Sequence, residues 1–307
     1  MGAPGPDEGA PAVTEPTLRR PTGDTLRALL ATSPPVLMPG VWDPLSARVA
    51  ARAGHAVVFL SGYAVAGTML GQPDVGLLTQ TEMADAARRV CAAAPELCVV
   101  VDGDTGYGNP VNTARTVELW EAAGASGIFL EDQVWPKRCG HMAGKEVVPV
   151  DDWLAKLRAA VDVRTHLHVT ARTDARAPLG LDEAIARARR ALDVGVDAVF
   201  VEAPESESEM EAIAAALPSC VRVANMVEAG RTPLRTPAEL AALGFDLIVS
   251  PLSGLFAAVS AMATAYGRLA DEGSLRDHLD ELVGFDEFTD LVGLPEVRDA
   301  ETRYRTP

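Results

Sequence analysis

The sequence predicts an α/β protein, a closed (β/α)8 barrel of the TIM type. Three observations lead there. Eight short β-rich runs alternate with stretches of helical periodicity. The runs are continuously apolar, as parallel strands covered on both faces are. Nearly every run ends in a polar or charged residue, which is where barrel active sites form. At 307 residues and 48% hydrophobic content the chain can bury a core of that size.

Taken in order, residues 1 to 22 (MGAPGPDEGAPAVTEPTLRRPT) are rich in Pro, Gly, Ala and acid without periodicity, and are expected to be a disordered tail. The barrel is expected over residues 23–273. Its strands fall at 36–40, 56–62, 98–104, 127–132, 166–173, 198–203, 221–226 and 247–252. Between them, 81–94, 111–124, 181–195 and 207–217 carry helical periodicity, and such stretches often stop at Gly or Pro. After the eighth strand, 253–269 reads as an apolar helix. Residues 274–307 read as a helical extension with more exposed Leu, Val and Phe than a closed barrel needs, which implies a covering partner.

Composition narrows the function. A net charge of −16 with no Lys/Arg stripe argues against nucleic acid. No apolar stretch approaches the ~20 residues of a membrane span and no secretory leader pattern opens the chain, so a cytoplasmic protein without membrane partners is expected. Cys91, Cys98, Cys139 and Cys220 have no paired metal-ligand spacing, and three of them read as small buried hydrophobes. No GxGxxG follows the first strand and no GxxxxGK[ST] occurs, so nucleotide readings are weak. Small-molecule chemistry remains.

The stretch from Cys98 to Lys145 carries that chemistry. Asp102 and Asp104 close one apolar run, and Glu131 with Asp132 closes the next. Carboxylates converging on one end of a sheet repel unless a cation or substrate compensates, and a divalent metal is the economical answer. Cys139 lies in Lys137-Arg138-Cys139-Gly140-His141, where the cations favour a thiolate or an easily ionised proton donor. The connection from Gln133 to about Asp152 is long enough to be a lid, with Gly140 and Gly144 as hinge positions. Other strand ends offer Ser61-Gly62-Tyr63, Arg172 with Asp174, Glu202, and Asn225 with Glu228. A strand-end cap explains any one acid, and Arg172 with Glu202 could form a simple pair, but neither explains the ring. His166 and His168 alternate on the fifth strand and read as packing residues.

The segments SGYAVAGTMLGQPDVG, VDGDTGYGN, LEDQVWPKRCGHMAGK, ARTDA, VEAP, ANMVEAGRTP and SPLSGLFAA resemble, in uninterrupted order from Val36 to Tyr304, the isocitrate lyase/phosphoenolpyruvate mutase superfamily. Within it the chain is most similar to the petal death protein, 2,3-dimethylmalate lyase and oxaloacetate hydrolase group, and it also resembles the carboxyphosphonoenolpyruvate mutases, which share the KRCGH run. The resemblance implies a Mg2+ ion, replaceable by Mn2+, bound directly by Asp102, with Asp74, Asp104 and Glu131 holding its waters. It implies that Ser61, Gly62, Tyr63 and Arg172 bind the carboxylate of a small acid substrate, and that Glu202 and Asn225 line the far side. Cys139 would protonate an enolate left by carbon–carbon cleavage, positioned by His141, Arg138 and Lys137. The family likeness further implies a homotetramer, a dimer of dimers with the terminal helix exchanged between subunits.

Two departures bear on this. The usual Asp-Ala-Asp is Asp102-Gly103-Asp104 here, expected to loosen the strand end. The run after His141 lacks the arginine of the methylisocitrate lyases, which argues against a tricarboxylate. Cys139 itself stands where the phosphoenolpyruvate mutases have Asn, which favours a lyase. The sequence therefore reads as a Mg2+-dependent lyase of a 2-hydroxy or 2-oxo dicarboxylate. The other readings are a phosphonomutase, a phosphonopyruvate hydrolase, a 2-methylisocitrate lyase and a non-catalytic barrel that only binds.

Overall fold

The computed structural model describes residues 20–140 and 144–305. Its strands are β1 (Val36–Val41), β2 (Val57–Leu60), β3 (Cys98–Asp102), β4 (Gly127–Glu131), β5 (His168–Thr173), β6 (Ala198–Val201), β7 (Val221–Asn225) and β8 (Leu247–Ser250). All pair in parallel with their sequence neighbours, and β1 closes on β8 with Val36 opposite Leu247, so the expected barrel is the observed one. Several strands end short of their expected limits because the chain leaves the ladder to build the site. After Asp102, for instance, Asp104 takes a left-handed φ of 45°.

The helices are α1 (Gly23–Thr32), α2 (Pro44–Arg52), the single turn α3 (Gly62–Val65), α4 (Gln80–Ala93), α5 (Pro110–Ala123), α6 (Val150–Val163), α7 (Arg176–Leu179), α8 (Leu181–Leu192), α9 (Glu207–Ala216), α10 (Pro237–Ala242), α11 (Ser253–Glu272), α12 (Phe285–Leu291) and α13 (Leu294–Arg303). Local chemistry sets their ends. Thr79 and Glu82 form a reciprocal cap on α4, and Asn109 caps α5 with Pro110 at its first position. Gly124 ends α5 at φ 95°, a conformation glycine takes without steric cost.

Side-chain alternation along the strands divides the core in two. Val58, Leu60, Val99, Val101, Ile128 and Leu130 face outward onto Met83, Val90, Val117, Trp120, Trp153 and Leu157 of the surrounding helices. The other parity, including Met38, Val57, Phe59, Cys98, Val100, Phe129, Phe200, Val223, Leu247 and Val249, fills the interior. The sequence reading places no element before Val36. The structure has α1 there, with Leu26 and Leu30, one turn apart, packed into that interior cluster. Arg27 of the same helix donates from Nε to Asp197 at 2.7 Å. The plug is therefore tied to the start of β6 by charge as well as by burial.

After the barrel, α11 leaves Phe256, Val259, Met262, Tyr266 and Leu269 exposed, and the segment beyond it exposes Leu279, Val283 and Phe285. Contact with the rest of the chain is made at α2, where Arg48 Nη1 donates to the carbonyl of Leu291 at 3.0 Å. Among the described residues no helix is long and apolar enough to cross a membrane.

Candidate active site

The alternation that fills the interior also delivers the site. Two residues beyond each inward-facing strand residue, the same face reaches the C-terminal mouth: Phe59 leads to Ser61, Val100 to Asp102, Phe129 to Glu131, the buried Thr170 to Arg172, Phe200 to Glu202 and Val223 to Asn225. These side chains, except Glu131, line one pocket with Tyr63, Asp74, Lys137, Cys139 and Gly140. Its floor is aromatic. Phe129 packs tilted against Phe59 and edge-on against Phe200, with centroids 5.0 and 5.8 Å away, and the Arg172 guanidinium sits 5.4 Å above the Phe200 ring.

On one side the acids gather. Asp74, Asp102, Asp104 and Glu131 are all buried, and Lys137 Nζ reaches Asp74 at 2.6 Å and Asp104 at 2.8 Å. Burial would lower the Lys137 pKa, but Asp104, Asp74, Asp102 and Glu131 together hold it well above its ordinary value. One ammonium does not balance the group. Among the described residues Asp102 has no ion-pair partner and accepts one hydrogen bond, from the Asp104 amide at 3.2 Å. Glu131 Oε1 is buried with no hydrogen-bond partner. Burial, and then the charge of Asp104, raise the Asp102 pKa; burial likewise raises that of Glu131 despite Arg172. Such surplus negative charge, with an orphaned carboxylate oxygen, fits a divalent cation. Among the described residues no three acidic, imidazole or thiol groups converge tightly enough to chelate a bare ion. The fit is to a hydrated ion such as Mg2+, which keeps several waters and takes one or two carboxylates directly.

On the other side Arg172 is the hub. Its Nε donates to Asp174 at 2.9 Å, Nη1 lies 3.3 Å from Glu131, and Nε lies 3.8 Å from Glu202. Asn225 donates from Nδ2 to both Glu202 oxygens at 3.3 and 3.4 Å, and its own Oδ1 is buried without a partner. Gly140 closes over this group. A Cβ there would lie 2.5 Å from Glu202 Oε1 and 2.6 Å from Arg172 Nη2, so any larger residue would have to displace one or both of these side chains.

Most of the residues singled out in the sequence meet at this pocket, but some take other places. Lys137 places its ammonium on Asp74 and Asp104. Arg138 is exposed on the outer side of the connection, where its backbone pairs with Gln133. His141 lies outside the described residues. The Ser61 amide donates to the Val41 carbonyl at 3.1 Å, which leaves the amides of Gly62 and Tyr63, in the first turn of α3, as the backbone donors. Burial, then Cys139 and Asp74 nearby, push the Tyr63 phenol up. Gly103 does not loosen its strand end: its amide donates to the Phe129 carbonyl at 2.9 Å, and a Cβ would meet that oxygen at 2.6 Å.

The connection between β4 and α6 begins as a short hairpin. Gln133 bridges Val147, and the Val134 amide donates to the Glu146 carbonyl at 2.9 Å. The sequence marks Asp174 as a strand-end candidate without giving it a partner, and it gives no role to Lys145 or the three phenylalanines. Their signal was parity: each phenylalanine stands two positions before a polar strand end, and Asp174 stands two after Arg172.

A pocket with a half-buried guanidinium on one wall and an excess of carboxylates on the other suits a small anionic molecule, and its position at the C-terminal mouth makes the protein a barrel enzyme. Comparison with known proteins makes this specific. Residues 26–270 match the phosphoenolpyruvate phosphomutase family, and the chain belongs to that family, within the isocitrate lyase/PEP mutase superfamily. It is 46% identical to the petal death protein of Dianthus caryophyllus, over 92% of this chain and 89% of that one. It is 43% identical to a 2,3-dimethylmalate lyase of Eubacterium barkeri, over 93% and 99%. Among solved structures it superposes on an oxaloacetate acetylhydrolase bound to 3,3-difluorooxalacetate with a TM-score of 0.88 and 36% identity, covering 92% of this chain and 98% of that one. Relatives also include a carboxyvinyl-carboxyphosphonate phosphorylmutase, 2-methylisocitrate lyases and a phosphonopyruvate hydrolase solved with oxalate and Mg2+.

Proposed function

We propose that the protein is a Mg2+-dependent lyase that cleaves a carbon–carbon bond of a 2-hydroxy or 2-oxo dicarboxylate, of the 2-alkylmalate, dimethylmalate or oxaloacetate type. One observation carries the reading: Cys139 lines the same pocket as Arg172, Ser61 and Asp102, so a proton donor faces the place where an anion would be held. Asp102 is the residue to hold Mg2+ or Mn2+ directly, with Asp74, Asp104 and Glu131 acting through water. When bound, the ion supplies stabilisation of oxyanions at the breaking bond.

The chain's own residues do the rest. Arg172, fixed by Asp174 and Glu202, and the amides of Gly62 and Tyr63 hold the α-carboxylate. The apolar wall of Val227, Val249, Pro251 and Leu252 excludes water from the other half of the pocket. Cys139 gives its proton to the enolate carbon left by cleavage, and Gly140 lets the thiol approach without bulk above Arg172. Neighbouring chains complete the assembly as a homotetramer, with the segment after α11 docked on a partner.

The test is a substrate panel of oxaloacetate, 2-methylmalate, 2,3-dimethylmalate, 2-methylisocitrate and phosphonopyruvate, with products followed by 1H and 31P NMR. Cleavage of a dicarboxylate to a 2-oxo acid or oxalate is expected. Turnover confined to the phosphonate, with a carbon–phosphorus bond formed or broken, would assign a mutase or hydrolase instead.

A further inference from the structure

Lys145 belongs to no strand or helix, yet its side chain is 1% exposed. Its ammonium donates to the Gly140 carbonyl at 2.6 Å and to Asp174 Oδ1 at 2.7 Å. Both partners lead into the pocket. Asp174 also accepts from Arg172 Nε at 2.9 Å and Nη2 at 3.1 Å, so lysine and arginine share one fully buried carboxylate. Together the two cations draw the Asp174 pKa down to about 2, although burial alone would raise it. Gly140 follows Cys139 directly, and its Cα rests against Arg172 and Glu202. Burying an ammonium is costly, and ion pairing seldom returns more than that cost in stability. A buried lysine that joins a connecting segment to the group orienting Arg172 points to geometry as its role.

We propose that Lys145 is a positioning residue of this site. One ammonium sets the height of Cys139–Gly140 over the pocket and, through Asp174, the direction of the Arg172 guanidinium. The inference rests on the roles given above to Cys139 and Arg172. Without the charge, the Gly140 carbonyl loses its donor and Asp174 is left to Arg172 alone. The guanidinium is then drawn toward Asp174 and away from Glu131 and Glu202, which it now holds at 3.3 and 3.8 Å.

Lys145→Met in the full chain keeps the unbranched stem up to the ε position and removes the ammonium. The expected result is a kcat lower by about 100-fold, the effect of an ångström-scale misplacement, with a smaller rise in KM. Weaker oxalate binding and an altered rate of Cys139 alkylation by iodoacetamide, followed by mass spectrometry, should accompany it while thermal unfolding stays cooperative. In Lys145→Ala, propylammonium should restore part of kcat and n-propanol should not. If Lys145→Met does not fold, the isosteric Asp174→Asn carries the test and is expected to change kcat and alkylation in the same direction. Wild-type kcat and alkylation rate in either folded variant, or rescue by propanol equal to that by propylammonium, would overturn the proposal. The alkylation readout needs no substrate. A wild-type chain that cleaves no dicarboxylate would therefore sink the proposed reaction without touching the test of Lys145.

Discussion

Lys137 and Asp74 stand 63 positions apart in sequence, yet their charged atoms meet at 2.6 Å, joining the β4–α6 connection to the loop that precedes α4. Asp104 shares the same ammonium at 2.8 Å. Lys137 is thus the positive charge built into the acidic wall, and it neutralises only part of that wall. Lys137→Met should destabilise the metal-free protein by about 3–5 kcal/mol, the usual cost of breaking a buried pair. Saturating Mg2+ should then raise Tm more in the variant than in the wild type, because a cation binding only the folded state relieves the greater repulsion. Equal Mg2+-induced shifts in thermal melts of the two proteins would contradict this picture.

Among the described residues Asp102 is the member of the wall without an ion-pair partner. Activity should disappear in excess EDTA and return with Mg2+ or Mn2+, and Asp102→Ala should bind Mn2+ too weakly to detect by electron paramagnetic resonance. Full turnover under chelation, or Mn2+ binding unchanged in the variant, would remove Asp102 from the metal site.

Much of this was legible in the sequence because period-2 alternation is a strong signal in continuous strands. Phe59-Leu60-Ser61 and Val100-Val101-Asp102 fix which residues face the mouth as soon as the strands are recognised. What could not be read was the partner of each charge. Lys137 sits two residues from Cys139, and proximity in sequence suggested a joint role. Only the fold brings Asp74 within reach and turns the ammonium to the acids. Lys145 went unassigned for the same reason, since its partner Asp174 is 29 positions away on another strand end. Gly103 was misjudged because the neighbour that excludes a Cβ, the Phe129 carbonyl, belongs to the adjacent strand. The plug helix α1 escaped notice because two leucines one turn apart give a weak periodic signal.

Cys139→Ser tests the proton donor. Serine has nearly the same size but is a far poorer acid, so oxalate and Mg2+ should bind as in the wild type while kcat falls by about 10²- to 10⁴-fold, the worth of a positioned general acid. Titration calorimetry with oxalate beside steady-state kinetics gives both quantities. A serine variant with wild-type turnover would rule out protonation of an enolate by this residue.

The exposed apolar face of α11 and the segment after it predicts assembly. Phe256, Val259, Met262, Tyr266 and Leu269 together form a surface larger than isolated exposed hydrophobes account for. Sedimentation should find a tetramer, and a chain ending at Glu272 should lose both that assembly and activity. A truncated chain that sediments as a well-folded, active monomer would rule the prediction out.

The last prediction concerns pH and lies at the opposite end of the barrel. His168 is 1% exposed at the start of β5. Burial pushes its pKa down from 6.5 to about 4, with Asp197 opposing and Arg27 and Arg164 adding to the effect. Below pH 6.5 the unfolded chain takes up a proton on this ring that the folded chain refuses until about pH 4. Its contribution to stability is therefore fully present above pH 6.5 and is lost as pH falls toward 4, a change of about 3 kcal/mol at 1.36 kcal/mol per unit. His168→Gln removes the titration while keeping a polar side chain of similar reach beside Thr170. Urea unfolding of the two proteins across this window should show the variant losing about 3 kcal/mol less stability on acidification than the wild type. Parallel pH dependences would mean that the imidazole takes up its proton as readily in the fold as in the unfolded chain, and that Asp197 balances burial at this end of the barrel.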